Sequence, residues 1–155
     1  MDIEAERARV SAQERSLRAA TRGADAAWQL GCRLRDAALA RGVALAIEVR
    51  LAGHTVFFHA MPGSAPCHAD WVRRKRNTAE WQGTSSYAVG LAMRAEATTL
   101  HDKTGLPVRD YAQHGGSVAL RSDDGVVWGS ATVSGLTQLD DHELLVEVVR
   151  NWLDD

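Results

Sequence analysis

Ser122-Asp123-Asp124-Gly125 stands between two apolar stretches, residues 117–121 and 126–133, and constrains the fold more than any other feature of the chain. An Asp-Gly pair readily adopts the positive-φ conformations of a tight hairpin turn, so the two stretches read as adjacent antiparallel strands. A second hairpin is written earlier. Val43, Leu45, Ile47 and Val49 alternate with Ala44, Ala46 and Glu48, and after a turn at Ala52-Gly53 the run 55–58 reads as the partner strand. In the stretch 126–133, Gly129 and Ala131 share one face opposite Trp128, Ser130 and Thr132, which leaves a small-residue face that a helix can approach closely.

Helical segments surround these hairpins. Residues 3–22 are rich in Ala, Arg and Glu, with Val10 and Leu17 as their main bulky apolar residues after Ile3. So thin a stripe suits a helical arm, residues 1–24, that either frays or packs on a neighbouring subunit. Asp25 reads as an N-cap, and Leu30, Leu34, Ala37 and Ala38 follow at helical spacing until Gly42. Residues 61–66 carry two prolines and a glycine and read as a loop. From His68 to Trp81 the residues favour a helix whose one side holds Trp71, Arg74, Lys75 and Thr78, interrupted by Gly83. A further helical piece covers 84–97, and an irregular segment from Leu106-Pro107 leads to His114. Asp140 followed by Glu143 resembles a capping box, ahead of a final helix with the stripe Leu145, Val148, Val149 and Trp152. The order helix, hairpin, helices, hairpin, helix predicts an α+β fold, an antiparallel sheet flanked by helices, with residues 25–155 as one domain.

Composition narrows the function classes. The 155 residues suit one core, and a formal charge of -2 supplies no general field for nucleic acid or an anionic membrane. The apolar runs are far too short for a bilayer span, and the chain is charged from Asp2 onward, which predicts a soluble, unexported protein. Cys32 and Cys67 form no CxxC or metal-type repeat, so a reduced, cytoplasmic setting is expected. Cys67 beside His68 could in principle be an activated thiol, but adjacency in sequence says little about side chains in space. No GxSxG elbow, P-loop or GxGxxG occurs. His54 and His59 have opposite parity along one strand, His101-Asp102 and Asp141-His142 read as solvated or capping groups, and no metal site is expected.

The stretch His114-Gly115-Gly116-Ser117 can carry chemistry. Glycine permits positive φ and close approach of another group, and a neighbouring imidazole titrates near neutrality, which makes this strand entrance a candidate small-molecule pocket; on this stretch alone a tight turn with an exposed His is the simpler reading. Within Arg73-Arg74-Lys75-Arg76 only Arg74 and Lys75 share a side with Trp71. They could clamp a carboxylate or phosphate against the indole, or simply line a solvated helix surface. Ser85 and Ser86 cap a helix in one reading; in another, free N–H groups there receive an anion. An axial haem ligand at His114, with Arg74 or Lys75 facing the propionates, is a further chemistry open to these residue types.

The successive motifs Asp70-Trp71-Val72-Arg73-Arg74-Lys75, Ser85-Ser86, His114-Gly115-Gly116-Ser117, and Val133-Ser134-Gly135-Leu136 with Asp140-Asp141-His142 resemble the GlcG/HbpS-like domains labelled haem-degrading, in particular an uncharacterised branch of stand-alone proteins. The resemblance runs from about Asp25 to Leu153. It implies a profilin-like antiparallel sheet and a symmetric homo-oligomer, such as pentameric rings paired into a decamer, with the N-terminal arm serving assembly. Haem binding and degradation are attributed to some relatives, but no haem-ligand motif can be matched here residue by residue. Trp71, Arg74, Lys75, Ser85, Ser86, His114, Gly115 and Gly116 are carried forward as candidate ligand-binding residues. Three functions follow: a cytosolic oligomeric protein binding a small anionic or haem-like ligand, an enzyme using His114, and an interaction scaffold without a ligand.

Overall fold

The computed structural model describes residues 1–155. In chain order it contains α1 (Ile3–Arg15), α2 (Ala24–Ala40), β1 (Ala46–Leu51), β2 (His54–Ala60), α3 (Pro66–Gln82), α4 (Ser86–Ala95), α5 (Leu100–Thr104), β3 (Ser117–Arg121), β4 (Val127–Ser134) and α6 (Gln138–Asp154). Both expected hairpins form, and they join through their inner strands into one antiparallel sheet of order β2-β1-β4-β3. At this seam Ala46 pairs with Ser134 and Leu51 with Gly129. The architecture is the α+β fold read from the element order.

Strand alternation divides the sheet into two unlike faces. Ile47, Val49, Ala131 and Val133 are fully buried with Leu30 and Leu34 of α2 and Leu145, Val149 and Trp152 of α6, forming the main core. Each of the valine, leucine and isoleucine side chains contributes roughly 1.5–3 kcal/mol through removal from water. The opposite face is polar. Glu48 pairs with Arg76 of α3 at 3.1 Å and accepts from Thr55 at 3.0 Å, while Arg50 and Ser130 both reach Glu80 of α3, at 3.1 and 2.8 Å. Helix α3 is therefore fixed to the sheet by charge and hydrogen bonding where α2 and α6 are fixed by apolar area. No helix is long and apolar enough to cross a membrane.

Several local expectations are corrected. Helix α1 packs within its own chain. Val10 is buried against Tyr87 and Leu91 of α4, Leu17 enters the main core, and Gln13 reaches Glu143 and His142 of α6. Two well-placed apolar residues and a few polar anchors thus do what a broad stripe usually does. Helix α2 starts one residue before Asp25, with Gly23 at the N-cap. Pro66 ends the loop by opening α3, where its missing N–H costs nothing, so Cys67 lies in a helical turn. A short α5 appears where no periodicity marked it, capped by Thr99.

Trp128 lies in the main core beside Trp152, on the side of Ala131 and not on that of Ser130 and Thr132. The pairing shifts there, with Leu120 opposite Gly129 but Arg121 opposite Val127, and this irregularity undoes simple alternation. Helix α6 is capped by Thr137, which accepts from the Asp140 N–H at 3.2 Å, so Asp140 occupies the first turn and is not the cap.

Candidate functional site

Helix α3 and the irregular segment before β3 build one surface together. Ala112 donates its N–H to the Arg74 carbonyl at 3.2 Å, Asn77 donates to the Asp110 carbonyl at 2.9 Å, and Arg73 bridges Asp70 and Asp110. This strapping brings His114 beside Trp71, with ring centroids 5.2 Å apart at 74°. The Arg74 guanidinium lies 4.5 Å from the same indole while donating to the Val108 carbonyl at 2.9 Å. Imidazole, indole and guanidinium thus share one accessible patch. A depression of about 120 Å³ adjoins the imidazole, lined by Tyr87, Gly90, Arg94, Gln113, His114 and Gln138.

The electrostatics at His114 favour a neutral ring. Its pKa is lowered first by partial burial, then by the positive charges of Lys75 and Arg74. At neutral pH a ring nitrogen lone pair is then free for a proton or a metal.

Lys75 turns away from this patch. It is buried and donates to Asp141 at 3.1 Å and to the Val133 carbonyl at 3.2 Å. Asp141 also accepts from the N–H groups of Leu136 at 3.0 Å and Gly135 at 3.4 Å. Burial pulls Lys75 down and Asp141 up, each opposed by the charge of the other. With four hydrogen bonds converging on it, the pair stands as an internal ionic bolt between α3, the end of β4 and α6. The expectation that Asp141 and His142 are solvated or simply capping is corrected, since both are buried. A signal for this was present, because Asp141 lies on the stripe of Leu145, Val148 and Trp152, and His142 precedes Leu145 and Val149 by three and seven residues.

Of the remaining candidates, Gly116 lies against this bolt. Gly116 has φ +130°, and a Cβ there would come within 2.6 Å of the Val133 carbonyl oxygen and 2.7 Å of the Lys75 Nζ; at Gly115 it would meet the Gln138 carbonyl oxygen at 2.4 Å. The close approach that these glycines permit is made by the chain's own backbone and by Lys75. Ser85 caps α4 by accepting from the Ala88 N–H at 3.0 Å, and its own N–H donates to the Glu14 carboxylate. Ser86 accepts from the Ser117 N–H at 3.1 Å, tying α4 to β3. The structure thus brings Trp71, Arg74 and His114 together at the surface, and places Lys75, Ser86, Gly115 and Gly116 beneath or beside them as supports.

Residues 23–150 match the family described as haem degrading protein HbpS-like. A UPF0303 protein of Paraburkholderia phymatum is 49% identical over 149 residues, covering 96% of this chain and 90% of that protein. Among solved structures, the Ybr137w protein superposes with a TM-score of 0.86 at 27% identity, covering 96% of this chain and 87% of its own. A crystal structure described as a PduOC:heme complex gives a TM-score of 0.73 at 18% identity, over 87% of this chain and 96% of the other, a likeness of fold alone. With the family match extending from the start of α2 into α6 and a close relative matched over nearly its whole length, this chain belongs to the HbpS-like family of haem-degrading proteins.

Proposed function

We propose that the chain binds a small anionic, haem-like ligand on the Trp71, Arg74 and His114 patch, and that it does so as a cytoplasmic homo-oligomer. The observation that carries this reading is the convergence of a neutral, accessible imidazole, a flat apolar ring and a guanidinium on one patch. The donor set fits haem: imidazole nitrogen is a common axial ligand to haem iron, and guanidinium pairs readily with propionate carboxylates. Bound haem would supply redox and oxygen chemistry at its iron. The depression beside His114 is far smaller than a macrocycle. A ligand of that size rests across the patch and needs a second surface to cover it, which is the support for tying binding to assembly. Two free cysteines support the cytoplasmic setting.

Haem titration followed at the Soret band tests this directly. Wild type is expected to give a saturable shift, His114→Ala to lose it, and Arg74→Ala to weaken it by about tenfold, the loss of one charge-assisted contact worth about 1.4 kcal/mol. An unchanged shift in His114→Ala would remove the assignment. The same lowered pKa supports a second reading, with His114 as a general base toward a bound small molecule; turnover retained in His114→Ala would end it.

A further inference from the structure

A concavity of about 720 Å³ lies away from His114, between α1 and the α4–α5 pair. That is within the range of small-molecule sites. Its walls include Val10, Val89, Leu91, Met93 and Leu100, all buried in the fold, with the half-exposed indole of Trp81 at the margin. Helix α1 contributes Glu4, Arg7, Ser11 and Glu14, a single face at spacings of three and four residues.

Charge distinguishes the kinds of ligand this groove can hold. Three carboxylates, Glu4, Glu14 and Glu96, line it against two cations, Arg7 and Lys103. Both cations are already used, Arg7 by Glu4 at 3.1 Å and Lys103 by Glu96. Glu14 has no basic partner. Its carboxylate takes the Ser85 N–H at the start of α4, and although Arg15, Arg18 and Arg121 line with it the adjoining smaller depression, none forms an ion pair with it. One carboxylate without an ion-pair partner therefore sits one helical turn beyond Val10, on the polar side of the groove that α1 supplies, with an indole available to a cation.

We propose that this groove is a second binding site, which takes a cationic amphiphile: an ammonium group held by Glu14 and an alkyl or aryl body laid along Val10, Leu91, Met93 and Trp81. An anionic ligand such as haem is disfavoured there by the excess of carboxylates. The site is thus separate in both place and charge preference from the patch at His114.

Calorimetric titration of the 155-residue chain with octylammonium, octan-1-ol and octanoate, below their aggregation concentrations, tests it. Octylammonium is expected to bind saturably, with octan-1-ol and octanoate weaker by about tenfold or more, the order of one partly shielded charge pair. Glu14→Gln retains an oxygen for the Ser85 N–H and removes only the charge, so octylammonium should fall to the level of octan-1-ol. Ala92→Trp, or the milder Ala88→Leu, should fill the groove and abolish binding of all three, with the far-ultraviolet spectrum unchanged. Absence of binding to wild type overturns the proposal. So does octanoate or octan-1-ol binding as tightly as octylammonium, an unaltered octylammonium affinity in Glu14→Gln, or full affinity in both folded filling variants.

Discussion

His142 is fully buried on α6, stacked 4.8 Å from the Tyr87 ring, with Nε2 2.9 Å from the Gln13 Oε1. Since Gln13 uses its Nε2 to donate to Glu143, its oxygen must accept, and His142 is the Nε2–H tautomer. Nδ1 is left buried without a partner. Protonation would place a charge and an unanswered N–H in that position, so burial lowers the pKa to about 4. An unfolded histidine takes its proton near pH 6.5. The contribution of neutral His142 is complete above that pH and is lost as pH falls toward 4, by up to about 3 kcal/mol. Urea midpoints measured from pH 7 to pH 4 should fall in wild type, and less in His142→Gln.

The Lys75–Asp141 bolt makes a different prediction: Lys75→Met leaves a buried carboxylate uncompensated and should cost about 3–5 kcal/mol, while Lys75→Met with Asp141→Leu should recover much of the loss. At this scale the sequence was informative about residue type but not direction. Trp71, Arg74 and Lys75 do lie on neighbouring positions of α3, yet Arg74 faces outward and Lys75 inward, because a buried carboxylate on α6, 66 residues away, receives only one of them.

Among the elements, the hairpins were legible because their signals are local: alternation plus an Asp-Gly or Ala-Gly turn. Helix α1 was legible as a helix but not as part of the packed fold. What holds it is non-local, with Val10 against α4, Tyr87 donating to Glu6 at 3.1 Å, and Gln13 reaching α6. Just beyond the helix, Leu17 reaches the core and Trp128 donates to the Ala19 carbonyl at 2.9 Å. Leu17→Ala should therefore cost about 2–4 kcal/mol, as for a core leucine and unlike a residue in a frayed arm, when measured by urea denaturation. The face of α3 toward the sheet is a comparable case. Its Arg76 and Glu80 look like surface residues in a sequence, and they become interior partners only because β1 presents Glu48 and Arg50 to them.

For the molecule as a whole, strand order was the part that sequence patterns did not reach, since nothing local states that β1 and β4 lie side by side. Of the two outer strands, β3 is met along its outer side by Ser86 at Ser117 and by Ala19 at Arg121, while β2 has no strand beyond it. Phe58 on β2 is 45% exposed and faces away from Phe57, against which the 54% exposed Trp28 of α2 packs. A homo-oligomer as proposed above would use this edge if it forms through β2, and Phe58→Lys is then expected to shift the mass in solution toward one protomer, as read by light scattering, with secondary structure retained.

The central seam also governs how the chain can be made. On the ribosome, β1 is finished about 75 residues before β4 begins, so its inner edge waits roughly 4–15 s at 5–20 residues per second. During that interval the nascent first hairpin presents Ile47 and Val49 with no inner neighbour, and their partners Val133 and Ala131 are available only once residue 133 has emerged.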